Sequence, residues 1–392
     1  MNLQQFHTLL TPEGQTSLAQ VAQTPITAQN HLQIVTRLRK QLDPALAQAV
    51  VEMVILRQKA TSKFSHAEAM YFTRAALEQS SAESVSTYRA KRFAVAGLHT
   101  VVDLGCGIGG DALGLTAVAD VIGIDLDELR LRMAQENIRA YGQDARFQPL
   151  QANIQTVPLL PVDGVFFDPA RRDEHGKRIY SVKAYSPPLS AVDRWRKKVR
   201  GTAVKISPGV NYDEIPPDAE VEFISLNGEV KEGVLWFDGL CSPASRRATL
   251  LPGEYTLVAQ PHTEIPISDP LAFLYEPDGA VIRAHLVEEL AQQLGACKID
   301  PSIAYLTADS AEDTPFARCF KIETAFPFQL KRLRTYLRQH GIGKVTIKKR
   351  GSPLEPDWLR TQLRLKGKEH RILFLTQIKE KAAVIIGQPL KS

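Results

Sequence analysis

The most constraining feature of the chain is the run VVDLGCGIGGD at residues 101–111, where a short apolar segment ends in closely spaced glycines. Gly105, Gly107 and Gly110 have the spacing G-x-G-x-x-G, and the residues after them have a helical pattern. Glycine lets the backbone turn tightly and approach a ligand without a Cβ atom. A strand that passes through such a turn into a helix is typical of the first unit of a parallel sheet, with a ligand bound at the turn.

Strands and helices continue to alternate as far as residue 248. Short apolar runs predict strands, and the segments between them carry apolar residues at helical spacing. The last two strands, VEFISL and GVLWFDGL, are separated only by a loop, which indicates an antiparallel pair at the edge. We predict an α/β fold with a Rossmann-like sheet and helices on both faces. The other predicted strands lie at 121–127, 146–150, 162–170 and 202–208, and the helices lie at 111–119 and 128–141.

The regions on either side have different patterns. Residues 1–98 predict a helical region, in which segments such as 44–56 and 66–79 repeat apolar residues at intervals of three and four. Pro44 suits the first position of a helix, where its missing N–H costs nothing. Residues 249–392 predict a separate α+β domain, so that the middle domain spans 99–248. This last domain has predicted helices at 280–294 and 328–339 and strands at 344–349, 371–377 and 382–386.

The glycine turn alone does not identify its ligand, because the same geometry binds dinucleotides and S-adenosylmethionine and also occurs as a plain structural turn. Asp103 favours the second ligand: a carboxylate two residues before the first glycine suits a cationic amine and repels a pyrophosphate. Asp125, at the end of the second strand, is placed to accept hydrogen bonds from ribose hydroxyls, a role that both cofactor classes use. Asn153 is placed to bond the adenine amine while Ile154 packs on the ring.

The segments VVDLGCGIGGDALGL, VIGIDLDE, QANIQ and VDGVFFDPARR together resemble the class I S-adenosylmethionine-dependent methyltransferases. Within that class they are most similar to the RNA cap guanine-N2 methyltransferase branch, over residues 99–240. The resemblance implies an enzyme that uses S-adenosylmethionine. It implies that Asp103, Gly105, Gly107, Asp125 and Asn153 bind this cofactor.

The fourth predicted strand ends in Asp168-Pro169-Ala170-Arg171-Arg172. Families that methylate the exocyclic amine of a base carry an Asp or Asn, two prolines and an aromatic residue here, because acceptors must align the amine and a ring must stack on the base. Asp168 and Pro169 match this pattern and are the predicted catalytic residues; the second proline and the ring are missing. Tyr180 or Tyr185 is a candidate for the missing ring, and Arg171 and Arg172 are candidate substrate contacts. The alternative is a strand-ending turn in which Asp168 only caps the next element.

Positive charge is concentrated in two regions of a chain whose net charge is +5. The first begins beside Asp168, and the second, 331–371, contains IKKRG and RLKGKEHR. Phosphate backbones bind to such surfaces, although a charge run is often only a solvated face. Together the two regions predict an RNA partner. Between residues 171 and 205 the cations are residues 171, 172, 177, 178, 183, 194, 196, 197, 198, 200 and 205, against three acids.

The C-terminal segments LYEPDGAVIRAHLVEELAQQLG, PFQLKRLRTYLRQHGIGKVTIKKRG and LRTQLRLKG resemble the THUMP-like domain attached to methyltransferases of this kind. The resemblance spans about residues 271–390. THUMP domains proper bind RNA in RNA-modifying enzymes, so the resemblance implies RNA binding by analogy. The sequence thus predicts methylation of the exocyclic amine of a base in structured RNA, with guanine N2 as a candidate acceptor.

Two other functions stay open at this point: a small-molecule methyltransferase, and a protein that binds S-adenosylmethionine or RNA without catalysis. Arg89 and Arg92 precede the glycine turn and are in reach of the site, but their pattern favours a solvated helix face. No histidine pair has metal-ligand spacing, and we expect no metal. The apolar runs are too short to cross a bilayer, the N-terminus has no secretory pattern, and the four cysteines lie far apart. We therefore expect a cytoplasmic protein without a membrane partner.

Overall fold

The computed structural model describes residues 1–169, 181–261 and 264–390. It divides into two compact units. The first comprises Met1–Glu220 and Glu232–Pro243, and the second comprises Val221–Lys231 and Ala244–Ser392. No helix in the part of the chain that the structure describes is long and apolar enough to cross a membrane.

The first unit opens with six helices, and four of them begin at a side chain that accepts a hydrogen bond from the first turn: Asn2, Thr11, Asp43 and Thr73. The Asp43 side chain precedes Pro44 and accepts hydrogen bonds from the backbone N–H groups of Ala45 and Leu46, and the predicted helix at 44–56 is confirmed and extends to Ala60. The predicted helix at 66–79 is wrong for its first half, because the Thr73 hydroxyl caps a new helix only at residue 74. The helices are α1 Leu3–Leu10, α2 Pro12–Ala22, α3 His31–Leu38, α4 Pro44–Ala60, α5 Arg74–Gln79 and α6 Glu83–Val95.

Helices α1 to α5 share one apolar core with the region of the glycine turn. Phe6 and Leu9 of α1 are fully buried in a cluster that also contains Ile108, Leu113 and Met133. Burial of this kind stabilises a protein by about 25 cal/mol for each Å² of apolar surface removed from water. The N-terminal helices and the glycine turn therefore depend on each other for their packing.

The sheet of the first unit confirms the predicted α/β architecture. Its strands follow the order β3–β2–β1–β4–β5–β7, parallel from β3 to β5, and β7 runs antiparallel to β5. The prediction that VEFISL and GVLWFDGL form the edge is wrong, because VEFISL pairs with a further, parallel strand at Arg246–Leu251. The elements, numbered in chain order, are β1 Thr100–Leu104, α7 Ala112–Thr116, β2 Asp120–Asp125, α8 Glu128–Arg139, β3 Phe147–Gln151, β4 Gly164–Phe167, α9 Asp193–Arg196, β5 Gly201–Ile206 and β7 Glu229–Asp238.

The strand order reverses between β1 and β4. The chain moves outward from β1 through β2 to β3 and then returns to the other side of β1. In open α/β sheets, ligands bind in the crevice outside the carboxyl ends of the strands at such a reversal. Leu104 pairs with Phe167 in the register of β1 and β4, so Asp103 and Asp168 lie at the same edge.

The second unit contains a three-strand group, β6–β8–β9, and a seven-stranded sheet in the order β11–β12–β10–β13–β16–β15–β14. Helices α12 and α13 cover one face of the larger sheet, with Leu333, Leu337 and Leu359 in a core with Leu373 and Leu375. The elements are β6 Glu220–Leu226, β8 Arg246–Leu251, β9 Tyr255–Val258, β10 Phe273–Pro277, α10 Gly279–Arg283, α11 Val287–Leu294, β11 Cys297–Lys298, β12 Leu306–Ala308, β13 Ala317–Pro327, α12 Leu330–Gln339, β14 Ile342–Lys349, α13 Pro356–Leu363, β15 Glu369–Ile378 and β16 Lys381–Pro389.

One predicted element of this unit is corrected. The single helix expected at 280–294 is two helices, α10 and α11, because His285 between them has a φ of +55°. That left-handed conformation interrupts the helical hydrogen-bond pattern. The predicted helix at 328–339 and the three predicted strands are confirmed within a few residues at their ends.

Candidate active site

The glycine turn after β1 takes a conformation that favours glycine. The φ angles of Gly105 and Gly107 are +80° and +55°. A Cβ on Gly105 would lie 3.0 Å from the carbonyl oxygen of Asp168, whereas a Cβ on Gly107 would have no atom within 4 Å. Gly105 therefore lets β1 and the end of β4 approach each other, and Gly107 leaves open space beside the turn.

Asp103, on β1, is completely buried. Neither of its carboxylate oxygens has a hydrogen-bond partner within the described residues. Burial, together with the negative charges of Asp111 and Asp168, raises the pKa of Asp103 well above its usual range, although Arg89 and Lys205 oppose the shift. A buried acceptor pair without a donor is costly, so Asp103 fits a ligand that brings a cationic amine.

The second predicted cofactor carboxylate contacts the turn directly. Oδ2 of Asp125 accepts a hydrogen bond of 2.9 Å from the N–H of Gly107, and Oδ1 accepts one of the same length from the N–H of Asp127. Each oxygen retains a second lone pair for a hydroxyl group. Asn153 has an exposed side chain whose oxygen accepts from the N–H of Gln155. The second lone pair of this oxygen is the acceptor available to an adenine amine.

Asp168 follows β4 and is held by a lysine that the sequence did not single out. Lys205, on β5, is 2% exposed, and its Nζ atom lies 2.6 Å from Oδ2 of Asp168. The same ammonium group donates to the Ser81 hydroxyl at 2.9 Å and lies 3.5 Å from Oδ2 of Asp111. Because Lys205 engages Oδ2, the Oδ1 atom of Asp168 is the acceptor that remains for a substrate. The predicted catalytic Pro169 is buried beside it.

Arg89 is also part of this buried cluster, and the prediction of a solvated face is wrong. Its side chain is 3% exposed and forms ion pairs with Asp111 and, at 2.7 Å, with Glu232 of β7. Burial alone would lower the pKa of Arg89, but the two carboxylates outweigh it and raise the pKa. Burial likewise opposes ionisation of Asp111, yet Arg89 and Lys205 hold its pKa below the usual range. Helix α6 thus contributes a guanidinium to the cluster beside the cofactor turn.

Arg92, one turn further along α6, is not a solvated residue either. Its side chain is 19% exposed and pairs with Glu220. Its guanidinium also donates to the carbonyl of Leu240 at 2.6 Å and lies 4.5 Å from the centre of the Trp236 ring. Arg92 therefore holds the edge of the first unit and does not join the cluster around Asp168.

Several residues of this site carry signals that sequence reasoning did not use. Lys205 is a lone charge in the apolar strand TAVKISP, and Asp111 immediately follows the glycine run. A charged residue inside a strand that is otherwise apolar is seldom left unpaired once buried. Arg89, Ser81 and Glu232 had no comparable local signal, because the chain brings them to the site from distant segments.

The candidate substrate residues divide into two groups. Arg171, Arg172 and Tyr180 lie outside the described residues. Tyr185 is 3% exposed, and its hydroxyl accepts a hydrogen bond of 2.9 Å from the N–H of Ser207. Its ring is therefore part of the interior of the first unit and presents no face to a base.

Within the described residues 181–205, the basic region is not one continuous cationic surface. Lys205 is buried, and Arg196 pairs with Asp218 at 2.6 Å. The exposed cations in the described part of this region are Lys183, Lys197, Lys198 and Arg200. No group of three or more histidines, cysteines and acids able to hold a metal ion occurs in residues 1–169, 181–261 and 264–390.

The sheet is parallel and carries one acid before its glycine turn, a second at the end of β2 and a third after the neighbouring strand β4. Together these features define a class of protein. It is the Rossmann-like enzymes that bind a nucleoside cofactor where the strand order reverses. Comparison with known proteins specifies the class further. Residues 98–208 match the family model of RNA cap guanine-N2 methyltransferase, 317–389 match the THUMP domain-like model, and 2–60 match a domain of unknown function.

Relatives extend the likeness over most of the chain. An uncharacterised S-adenosylmethionine-dependent methyltransferase of Mycobacterium tuberculosis, found in strains CDC 1551 and H37Rv, is 33% identical over 341 residues, which are 84% of this chain and 92% of the relative. The crystal structure of a "putative methyltransferase" from Porphyromonas gingivalis W83 has the same fold, with a TM-score of 0.74 and 20% identity over 94% of this chain and all of that one. The chain belongs to the S-adenosylmethionine-dependent methyltransferase family.

This membership decides between the alternatives left open by the glycine turn. The protein is an enzyme that transfers methyl groups, and its cofactor is S-adenosylmethionine. The C-terminal part is THUMP-like. The unpartnered carboxylate of Asp103 and the open space at Gly107 are the features of this chain that fit the cofactor.

Proposed function

We propose that the enzyme methylates the exocyclic amine of a base, such as guanine N2, in structured RNA. The observation that carries the proposal is the position of Asp168 at the carboxyl end of β4, with Lys205 on one carboxylate oxygen. Oδ1 of Asp168 remains as an acceptor at the edge of the cofactor crevice. An amine conjugated to a base is a poor nucleophile, so most of the acceleration must come from its alignment.

The residues of the glycine turn and the strand ends would hold the cofactor. Asp103 would pair with its amine, Gly105 and Gly107 would let the backbone approach it, Asp125 would accept from the ribose hydroxyls, and Asn153 would bond the adenine. When bound, S-adenosylmethionine supplies an electrophilic methyl group on a sulfonium. The remaining chemistry belongs to the acceptor and to Asp168.

Asp168 and Pro169 would orient the acceptor amine. Oδ1 of Asp168 accepts a hydrogen bond from one amine N–H, and the carbonyl oxygen of Pro169 accepts the other, which directs the nitrogen lone pair into the crevice. Oδ1 then takes up the proton that the nitrogen releases once it is methylated. Lys205 keeps the Asp168 carboxylate in one orientation throughout. Arg171, Arg172 and Tyr180 remain proposed substrate contacts.

Two kinds of observation support RNA as the acceptor: exposed positive charges, and the two family models that the chain matches. The cations Lys183, Lys197, Lys198 and Arg200 are exposed in the first unit. The region 331–371 of the second unit adds others, including Lys344 and Lys349 on β14. Both the matched methyltransferase model and the THUMP domain-like model are named for modules of RNA chemistry. A polyphosphate backbone would bind these surfaces with an affinity that falls as salt rises.

The test is methyl transfer to RNA from cells that lack the gene. Wild-type enzyme and cofactor labelled in the methyl group should place label in one RNA species, and nucleoside mass spectrometry should identify the modified base. Asp168→Ala should lower the rate by at least about a hundredfold and keep cofactor affinity within a few-fold, because Asp168 acts on the acceptor. Label that enters only the small-molecule fraction, or an Asp168→Ala enzyme at the wild-type rate, would falsify the proposal.

A further inference from the structure

The seven-stranded sheet of the second unit is strongly curved. Three strands separate β10 from β14 in its order, yet Glu276 of β10 forms an ion pair with Lys348 of β14. The ring of Phe320, on β13, lies 5.2 Å from the ammonium of the same lysine. Side chains this far apart in a flat sheet could not meet, because neighbouring strands are about 4.8 Å apart. The sheet therefore wraps around the apolar cluster that contains Phe320 and Phe374, which lies on its concave face.

A cavity of about 500 Å³ opens where the strands end at this concave face. Its walls come from the ends of β10, β13 and β14 and from the turns that follow β6 and β8. Its volume lies in the range of pockets that hold small ligands. We name it the second-unit pocket, and all of its lining residues belong to the second unit.

The charges of the second-unit pocket leave two guanidinium groups for a ligand. Its acids already have partners: Glu276 pairs with Lys348, and Asp278 caps α10 and accepts from the Ser225 hydroxyl at 3.2 Å. Arg318 forms no ion pair within the described part of the chain. Its Nη2 atom lies 3.1 Å from where a Cβ on Gly228 would stand, so the guanidinium lies over the turn that follows β6.

Arg350 is the second of these groups. It lies over the ring of Tyr305 at 5.0 Å and donates to the carbonyl of Ala304 at 3.1 Å, and it has no carboxylate partner among the described residues. These contacts fix the plane of the guanidinium while its charge stays unpaired. Two guanidinium groups without carboxylate partners in one concave site, one of them oriented by its contacts, suit a phosphate, which accepts paired hydrogen bonds from each.

An aromatic ring lines the same pocket. Tyr255 is 53% exposed, which is unusual for a side chain of its size, and it packs over Gly253, where any Cβ would meet the ring at 2.1 Å. The ring thus lies against the backbone of this turn, and its exposed part is available for stacking. A phosphate site beside an open aromatic face matches the two parts of a nucleotide.

We infer that the second-unit pocket binds a nucleotide of the RNA, with its phosphate at Arg318 and Arg350 and its base on Tyr255. The identification of the ligand as RNA rests on the proposed function, whereas the phosphate and base sites rest on the pocket itself. A bound nucleotide here would hold the RNA at a position independent of Asp168.

The experiment measures binding of the full chain to a fluorescent single-stranded RNA of about twelve nucleotides, a length within the usual range of such sites. Arg318→Ala and Tyr255→Ala should each weaken binding about tenfold, as expected for the loss of a phosphate contact or a stacked base. The matched control is Lys321→Ala. It removes the same charge from the same strand. Because alternate residues of a strand face opposite sides of the sheet, Lys321 lies on the opposite face from Arg318 and Phe320. The control should stay within about twofold of wild type.

Equal losses in Arg318→Ala and Lys321→Ala would overturn the inference, because binding would then depend on net charge alone. Adenosine monophosphate should displace the RNA at lower concentrations than inorganic phosphate; equal potency would reduce the site to an anion site without base stacking. Displacement by polyglutamate as effective as by RNA would indicate an acidic protein partner instead. All these measurements are made without cofactor, so they stand apart from the methyl-transfer test at Asp168.

Discussion

The site is built from carboxylates whose different partners give them different roles. Asp111 and Asp168 have cationic partners in Arg89 and Lys205, whereas Asp103 lies among them with no hydrogen-bond donor of its own. A buried carboxylate without a donor destabilises the protein in the absence of a ligand. Asp103 on β1 therefore lowers the stability of the ligand-free protein at the position that we assign to the cofactor amine. Such a local loss of stability is common in binding sites.

Asp103→Asn should stabilise the free protein and weaken cofactor binding. The raised pKa of Asp103 means that the folded state binds more protons than the unfolded chain, so its contribution to stability falls as pH rises above about 4, the unfolded value, towards the folded pKa. Asparagine cannot ionise. Its gain should therefore grow with pH and reach about 1 kcal/mol or more near neutrality.

Urea unfolding at several pH values and calorimetric titration with S-adenosylmethionine measure the two effects of Asp103→Asn. Cofactor affinity should fall about tenfold or more, because a charge-assisted hydrogen bond is lost. The matched control is Asp120→Asn, at an exposed aspartate at the start of β2. A stability gain that is independent of pH, or unchanged affinity, would contradict the assignment of Asp103.

At the scale of the elements, the strand–turn–helix from β1 to α7 carries Asp103 and the two glycines that we assign to the cofactor. Gly105 and Gly107 have positive φ angles for different reasons. The first allows close contact with the end of β4, and the second leaves space that no protein atom occupies within 4 Å. The conformational cost is similar at both positions, but only Gly107 faces open space.

Gly107→Ala should therefore separate strain from ligand contact. Its φ of +55° costs an alanine about 1 kcal/mol in stability, and the added methyl should lower cofactor affinity about tenfold or more. Gly142→Ala is the matched control, since Gly142 has a φ of +68° and equally open surroundings at the end of α8. Thermal unfolding should show similar losses for both variants, and calorimetry should show weaker binding only for Gly107→Ala. Equal affinities would remove Gly107 from the cofactor site.

At the scale of the whole chain, the N-terminal helices and the first sheet form one of the two compact units. Phe6 and Leu9 share a core with Ile108 of the glycine turn, and Arg89 of α6 pairs with Asp111. The prediction of a helical region at 1–98 beside a domain at 99–248 describes the order of elements along the chain. Packing, however, makes the helices part of the support of the active site.

Phe6→Ala should lower the stability of the first unit as a whole. Loss of a fully buried phenylalanine costs about 3–5 kcal/mol, and the shared core should spread that loss to β1 as well as to α4. Hydrogen exchange followed by mass spectrometry measures both segments. Leu32→Ala, at a residue that is 73% exposed, is the control and should change neither. Loss of protection confined to residues 1–60 would show that the N-terminal helices unfold independently.

Much of the fold could be predicted because its signals are local. The glycine run predicted the turn after β1, and apolar runs predicted β2 to β5 within a few residues. The break between α10 and α11 was missed, because the residue in the left-handed conformation is His285 and not a glycine or proline. The strands β8 to β10 were missed because they border or lie within the proline-rich segment at 252–277, and β11 and β12 because they are only two and three residues long.

The sequence by itself determined the strand–turn–helix of the cofactor site, the acids at Asp103, Asp125 and Asp168, and the family, because each depends on residues that lie close together in the chain. Only the tertiary structure decided that Lys205 pairs with Asp168 and that Arg89 is buried against Asp111 and Glu232. These partners lie far apart in sequence, and no local pattern records which distant side chain will neutralise a buried charge. The register of β1, β4, β5 and β7 brings them together, and burial then makes their pairing necessary.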